Sequence, residues 1–264
     1  MDYWTRIVLV GVVVFLTHML EGITGFGCTV LAMPFAVMLL GLHVAKPILV
    51  VLAWLLAGYI VFVSWGKIVW REFLFILLYV GIGLPIGMAI FSYCPEHILT
   101  GILASVMIIV GVHGFIKTWK SAENNRTTQT SARTQPAPKN MLMRSILFVG
   151  GVVHGMFGTG GPFVVIYASR ALPDKSLFRV SLCLLWLTLN TVLIFQSFAD
   201  NVWTPETGTI LLLMLPFLVT GMLLGDFLHH FVSEYYFRLI VYGVLFASGL
   251  VLFYNVSQKL FFRP

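Results

Sequence analysis

Apolar residues fall into six long runs along the chain, each interrupted only by isolated polar positions. Residues 47–65, 73–93 and 98–116 form three of them in the first half, and 180–199, 207–228 and 236–254 form three more in the second. A helix rises 1.5 Å per residue and a bilayer core is about 30 Å thick, so runs of about 20 residues predict transmembrane helices. Each half opens differently, with an apolar stretch broken in its middle by glycines, at 7–40 and again at 145–172. The pieces on either side of the break, such as 7–20 and 28–40, are short for full crossings. They suit a re-entrant helical hairpin or two short tilted helices. Between the halves, residues 121–140 read SAENNRTTQTSARTQPAPKN, without one bulky apolar side chain, which predicts a mobile connector. The pattern thus predicts an all-α polytopic membrane protein of two repeats, 1–120 and 141–264. Each repeat is a glycine-broken helical hairpin followed by three transmembrane helices.

Composition points the same way. Of 264 residues, 59% are hydrophobic and only 10% charged, against about 25% charged in a soluble domain. Lipid must therefore solvate most of the surface, and no soluble domain remains once the apolar runs are placed. The net charge of +6 is explained by loop placement rather than by nucleic acid, which is not an expected partner. With the connector in the cytoplasm, Lys67, Arg71, Lys117, Lys120, Arg126, Arg133, Lys139, Arg144, Arg170, Lys175, Arg179 and Arg238 are inside, and Arg6, Lys46, Lys259 and Arg263 outside. That division, 12 of the 16 basic residues on one side, follows the positive-inside rule and puts both termini outside a bacterial inner membrane. Arg6 precedes the first apolar stretch without a small-residue cleavage pattern, so that stretch reads as retained. Cys28, Cys94 and Cys183 are far apart, without zinc or redox spacing, and read as packing residues. No cofactor and no metal are expected.

The halves align around their breaks. Glu21-Gly22-Ile23-Thr24-Gly25-Phe26-Gly27 matches His154-Gly155-Met156-Phe157-Gly158-Thr159-Gly160 at a spacing of 133 positions, which also brings Lys46 onto Arg179. Further along, a spacing of 138 brings Gly87 onto Gly225, Glu96 onto Glu234 and Gly111 onto Gly249. Gly-x-x-Gly-x-Gly is common by chance; its occurrence at matching places in two halves is not. With an odd number of crossings per half, the repeats are expected to be inverted, the arrangement that gives an alternating-access carrier two nearly equivalent packings.

The breaks are where chemistry is expected. Glycine there permits positive φ and close approach of a ligand to bare backbone. The helix that follows presents unpaired N–H groups and a partial positive charge. Two such starts meeting near the midplane would hold an anion without a buried basic side chain. This makes Gly22, Gly25, Gly27, Gly155, Gly158, Gly160 and Gly161, with the hydroxyls of Thr24, Thr29 and Thr159, the candidate substrate contacts. The alternative is that the glycines only allow helices to pack and that the hydroxyls bond their own backbone. Glu21 and His154 occupy equivalent places before the turns, and ionisable groups inside a membrane are costly enough to suggest a role. His154 is a candidate donor to the anion. Glu21, His18 and His154 are candidates for proton coupling, with His18, three residues earlier on the same helical face, as the local partner of Glu21; a purely structural pair is the alternative. Lys46 and Arg179 are expected to gather anions at the two mouths, or to snorkel toward head groups. Asn190 and Gln196 lie within a span and are expected to face a cavity or another helix. Asp226 is expected near the cytoplasmic surface, and Trp54 and Trp186 either along the path or in packing. No Gly-x-x-x-x-Gly-Lys-Ser/Thr, Gly-x-Ser-x-Gly or His-Glu-x-x-His is present, so nothing suggests an ATPase, a hydrolase elbow or a zinc protease.

The segment EGITGFGCTVLAMPF, its partner HGMFGTGGPFVVIYASRAL, and the elements GLPIG and GMLLG resemble the sulfite exporter TauE/SafE family over nearly the whole chain outside the connector. The resemblance implies secondary transport, linked to protons or to membrane potential, of sulfite, sulfonates or other small anions. It also implies that Gly22, Gly25, Gly27, Gly155, Gly158, Gly160 and Gly161 form the substrate-binding turns. Glu21 and Phe157 stand where many members carry a small or polar residue, so the substrate does not carry over with the motif. The expected partners are a small anion and the bilayer. The rival readings are an ion-coupled cation carrier using Glu21, His18 and His154, and a membrane scaffold that transports nothing.

Overall fold

A computed structural model describes residues 2–127, 139–172, 174–229, 242–243, 246–247, 249–254 and 256–258, with backbone alone for 117–127. The elements are α1 (Tyr3–Thr24), α2 (Cys28–Leu40), α3 (Leu42–Ser64), a 3-10 turn (Trp65–Lys67), α4 (Trp70–Tyr93), α5 (Glu96–Thr127), α6 (Met141–Phe157), α7 (Gly161–Ala171), α8 (Lys175–Ala199) and α9 (Pro205–Leu228). The described residues contain no strand. Among the described residues, six stretches are long and apolar enough to cross a bilayer: Tyr3–Thr24, Leu42–Lys67, Trp70–Tyr93, Glu96–Ile116, Lys175–Ala199 and Pro205–Leu228. The protein is an all-α, multi-pass membrane protein.

Helix ends follow local chemistry. Asp2 accepts from the Thr5 amide to start α1, Asp174 accepts from the amides of Ser176 and Leu177 to start α8, and Thr204 caps α9 ahead of Pro205. The cap at Asp2 lengthens α1. Expected as a short limb of a hairpin, it is a 22-residue helix, because its polar first turn extends the apolar run toward the N-terminus. The second limb, α2, is short at 13 residues, as are α6 at 17 and α7 at 11. α5 continues to Thr127, so the first residues of the expected loop are helical. Ala122 and Glu123 are good helix formers. Of the run at 236–254, the described positions from 242 onward are helical. The rest of that run, the connector residues 128–138, and Arg133, Arg238, Lys259 and Arg263 lie outside the described residues, as do the side chains of Lys117, Lys120 and Arg126.

The chain divides into two compact units, Met1–Tyr93 with Pro136–His230, and Cys94–Gln135 with Phe231–Pro264. In the first unit α1 packs on α9, α4 on α6, and α3 on α8. The opening helix of each half therefore lies on the fourth helix of the other half. Both crossings are glycine on glycine. A Cβ on Gly22 would stand 3.0 Å from the Gly225 Cα, and a Cβ on Gly155 would stand 3.0 Å from the Gly87 Cα. At the spacings of 133 and 138 these are the same contact, made twice. Helices without a hydrophobic drive to associate in lipid gain from such close backbone packing. The second unit has the same reciprocity: Gly111 faces Phe246, and Gly249 faces Ile108, which is 138 positions before Phe246.

Candidate functional site

The two broken stretches end alike. α1 stops at Gly25, φ 81°, whose N–H donates to Glu21 O at 2.6 Å; α6 stops at Gly158, φ 69°, whose N–H donates to His154 O at 2.6 Å. These are left-handed caps, open to glycine at little cost. Each turn is then held from the opposite half. Trp186 Nε1, on α8, donates to Gly25 O at 3.0 Å, and Thr29 Oγ1, on α2, donates to Gly158 O at 2.7 Å. Lys46 Nζ, on α3, donates to Gly155 O at 2.9 Å, one turn earlier.

Both turns open on one small cavity, lined by Glu21, Gly27, Thr29, Val30, Ala53, His154, Gly158, Gly161, Trp186 and Asn190. Helix starts supply its donors. The ladder of α2 begins with Leu31 N–H to Gly27 O, at 3.0 Å, and that of α7 with Val164 N–H to Gly160 O, at 3.4 Å. The first-turn amides of Thr29, Val30, Gly161 and Phe163 thus have no acceptor within their own helices. One donor is already used: the Cys28 amide donates to Glu21 Oε2 at 2.7 Å, so the start of α2 carries its own carboxylate. In the other half the bond comes from one residue earlier, at the place of Gly27, and is longer: Gly160 N–H to His154 Nδ1 at 3.4 Å. Since Nδ1 accepts there, Nε2 is assigned the proton and donates to Asn190 Oδ1 at 3.0 Å. That bond occupies the carbonyl oxygen of Asn190, which itself lines the cavity. The His154 ring also stacks on Trp186, centroids 5.4 Å apart.

Other expected residues fall into three groups. Gly22 and Gly155 serve helix crossing rather than the cavity wall. Thr24 Oγ1 donates to Leu20 O, at 2.9 Å, so its hydroxyl is held by its own turn; Thr159 is buried beside Gly158 and Gly160. His18 does not pair with Glu21: its Nδ1 bonds Val14 O at 2.8 Å and its Nε2 has no partner among the described residues, while the Glu21 carboxylate crosses the break to the Cys28 amide. The basic twins differ. Arg179 Nη2 pairs with Asp226 Oδ1 at 2.7 Å, while Lys46 has a carbonyl and the Phe91 ring, 3.5 Å from its centroid. Trp54 Nε1 donates to Thr191 Oγ1, tying α3 to α8, and Gln196 binds Asp200. Sequence reasoning missed Ala53 and Val30 in the cavity wall, since an apolar residue beside a site has no signal of its own. Among the described residues no group of three or more His, Cys, Asp or Glu side chains could hold a metal ion.

Helices broken inside an apolar bundle, with their starts turned on an internal cavity, are the architecture of membrane transporters. The chain belongs to the sulfite exporter TauE/SafE family, a family of membrane transporters, whose model matches residues 10–252. No curated protein and no solved structure matches the chain.

Proposed function

We propose that the protein is a secondary transporter that carries a small anion, such as sulfite, an organosulfonate or a related sulfur or organic anion, by alternating access. The observation that carries this reading is the shared cavity, lined by first-turn residues of two helices, Thr29 and Gly161 among them, and by Asn190, with no lysine or arginine among its lining residues. Donors fixed in a low-dielectric site need no reorganisation to hold negative charge. Gly27, Thr29, Gly158 and Gly161 line the site, His154 orients Asn190, and Gly25, Thr24, Thr159 and Gly160 shape the turns. The reading takes the repeats, 1–120 and 141–264, as inverted, the connector as cytoplasmic, and both termini as external to a bacterial inner membrane.

Glu21 has a place in this scheme. A carboxylate and an anion about 4 Å apart repel by roughly 4 kcal/mol at an effective dielectric of 20, so the anion enters with a proton on one of the two. Glu21 is therefore the leading coupling residue. His154, with both nitrogens bonded, and His18, bonded within α1, are secondary. The Glu21 carboxylate in the wall also favours a second reading, a cation carrier. Flux into proteoliposomes separates them: the anion reading expects labelled sulfite uptake that sulfonates inhibit. Inhibition by divalent cations alone would reverse the choice. Gly161→Leu, which fills the cavity where an added Cβ meets side chains no closer than 3.7 Å, should abolish uptake while the protein stays folded.

A further inference from the structure

A second cavity opens between α3, α4 and α8, with Lys46 in its wall. The exchange of the halves gives this mouth a twin, and the two are not alike. At the twin, Arg179 is met by the carboxylate of Asp226 on α9. The residue 138 positions before Asp226 is Met88 on α4, and Met88 lines the cavity beside Lys46. The ammonium thus has a thioether where its counterpart has a carboxylate. Lys46 is only 8% exposed. Its neighbours are the Gly155 carbonyl and the face of Phe91, and no carboxylate lies within ion-pair reach among the described residues. Asp200 also lines the cavity, but it is exposed at the rim and both its oxygens accept from Gln196 Nε2, at 2.9 Å each.

We propose that this cavity is an anion-binding site, with the Lys46 ammonium as its charged group, occupied by a small oxyanion on its way to the central cavity. At the twin, Asp226 puts a side-chain carboxylate on Arg179 in the place the free anion takes at Lys46. A buried ammonium without a counter-ion is costly, and a carboxylate, sulfonate or sulfite oxygen supplies one. Val50 lies between the two cavities. It lines the outer one, and its Cγ2 stands 2.9 Å from where a Cβ on Gly158 would be, in the wall of the inner one. An arriving anion also competes with Gly155 O for the ammonium, so its binding acts directly on the last turn of α6.

The inference rests on the anion-carrier reading, and titration calorimetry with methanesulfonate on the purified full chain distinguishes the two. Two anions per chain are expected for the wild type, and one for Lys46→Gln. Met88→Asp, which gives Lys46 the carboxylate its twin has, should also bind one; Lys46→Arg should keep two. Gly161→Leu should leave one, lost on adding Lys46→Gln. A wild-type stoichiometry of one that survives both Lys46→Gln and Met88→Asp would overturn the outer site and leave the central one. A single site lost with Lys46→Gln but kept in Gly161→Leu would support the outer site and sink the central one. No binding at all would overturn both.

Discussion

The carbonyls of Gly25 and Gly158 illustrate how much each residue at the breaks is asked to do. Both belong to turns that end a helix inside the bundle, where water is not available to satisfy them. One accepts from Trp186 and the other from Thr29, so each half finishes the turn of its partner. Thr29→Val should leave a buried carbonyl without its donor, at a cost of about 1–3 kcal/mol, and lower the melting temperature in detergent; Thr29→Ser should restore it. A Thr29→Val protein as stable as wild type would mean the bond contributes nothing. At this scale the sequence was informative about glycines and ionisable groups, whose presence in apolar runs is conspicuous. It could not reveal that Glu21 turns from His18 to the Cys28 amide, because the partner is a backbone group created only by the fold.

Helix crossings decide the next level. Gly87 and Gly81 lie six residues apart on α4 and have opposite surroundings. A Cβ on Gly87 would meet the Val152 carbonyl and stand 3.0 Å from the Gly155 Cα, whereas one on Gly81 meets nothing within 4 Å. Gly87→Ala should therefore destabilise by about 1–3 kcal/mol through overpacking. Gly81→Ala should be neutral or stabilise by up to about 1 kcal/mol through helix propensity. Equal effects in a thermal unfolding series would contradict the close crossing of α4 and α6. The sequence located most of these helices from their apolar runs, but it shortened α1. The residues that complete α1, Asp2 through Arg6, are polar or aromatic, and a hydrophobic pattern alone does not count them.

For the molecule as a whole, the sequence suggested an alignment of two halves but not which helices pack together. Spacings of 133 and 138 say which residues correspond, not whether α1 lies on its own half's α4 or on α9 of the other. Packing gives the second answer: α1 on α9 and α4 on α6. Each half alone would expose the glycine faces of Gly22 and Gly87 to lipid. Coexpressed fragments 1–127 and 139–264 should consequently co-purify and bind each other, and either expressed alone should be degraded or aggregate. Stable, monomeric halves would contradict the exchanged packing. The crossing also explains why the two breaks reach one cavity, since each is carried toward the centre by a helix anchored on the other repeat.

The central claim is that backbone amides of α2 and α7, together with Asn190, hold a small oxyanion in the inner cavity. Selenite is a heavy-atom analogue of sulfite, and a crystal of the protein soaked in it locates the anion by anomalous scattering. The account predicts a selenium peak within hydrogen-bonding reach of the Thr29 and Gly161 amides and the Asn190 carboxamide, absent in Gly161→Leu. An ordered selenite bound elsewhere in the bundle, with the inner cavity empty at saturating concentration, would contradict it.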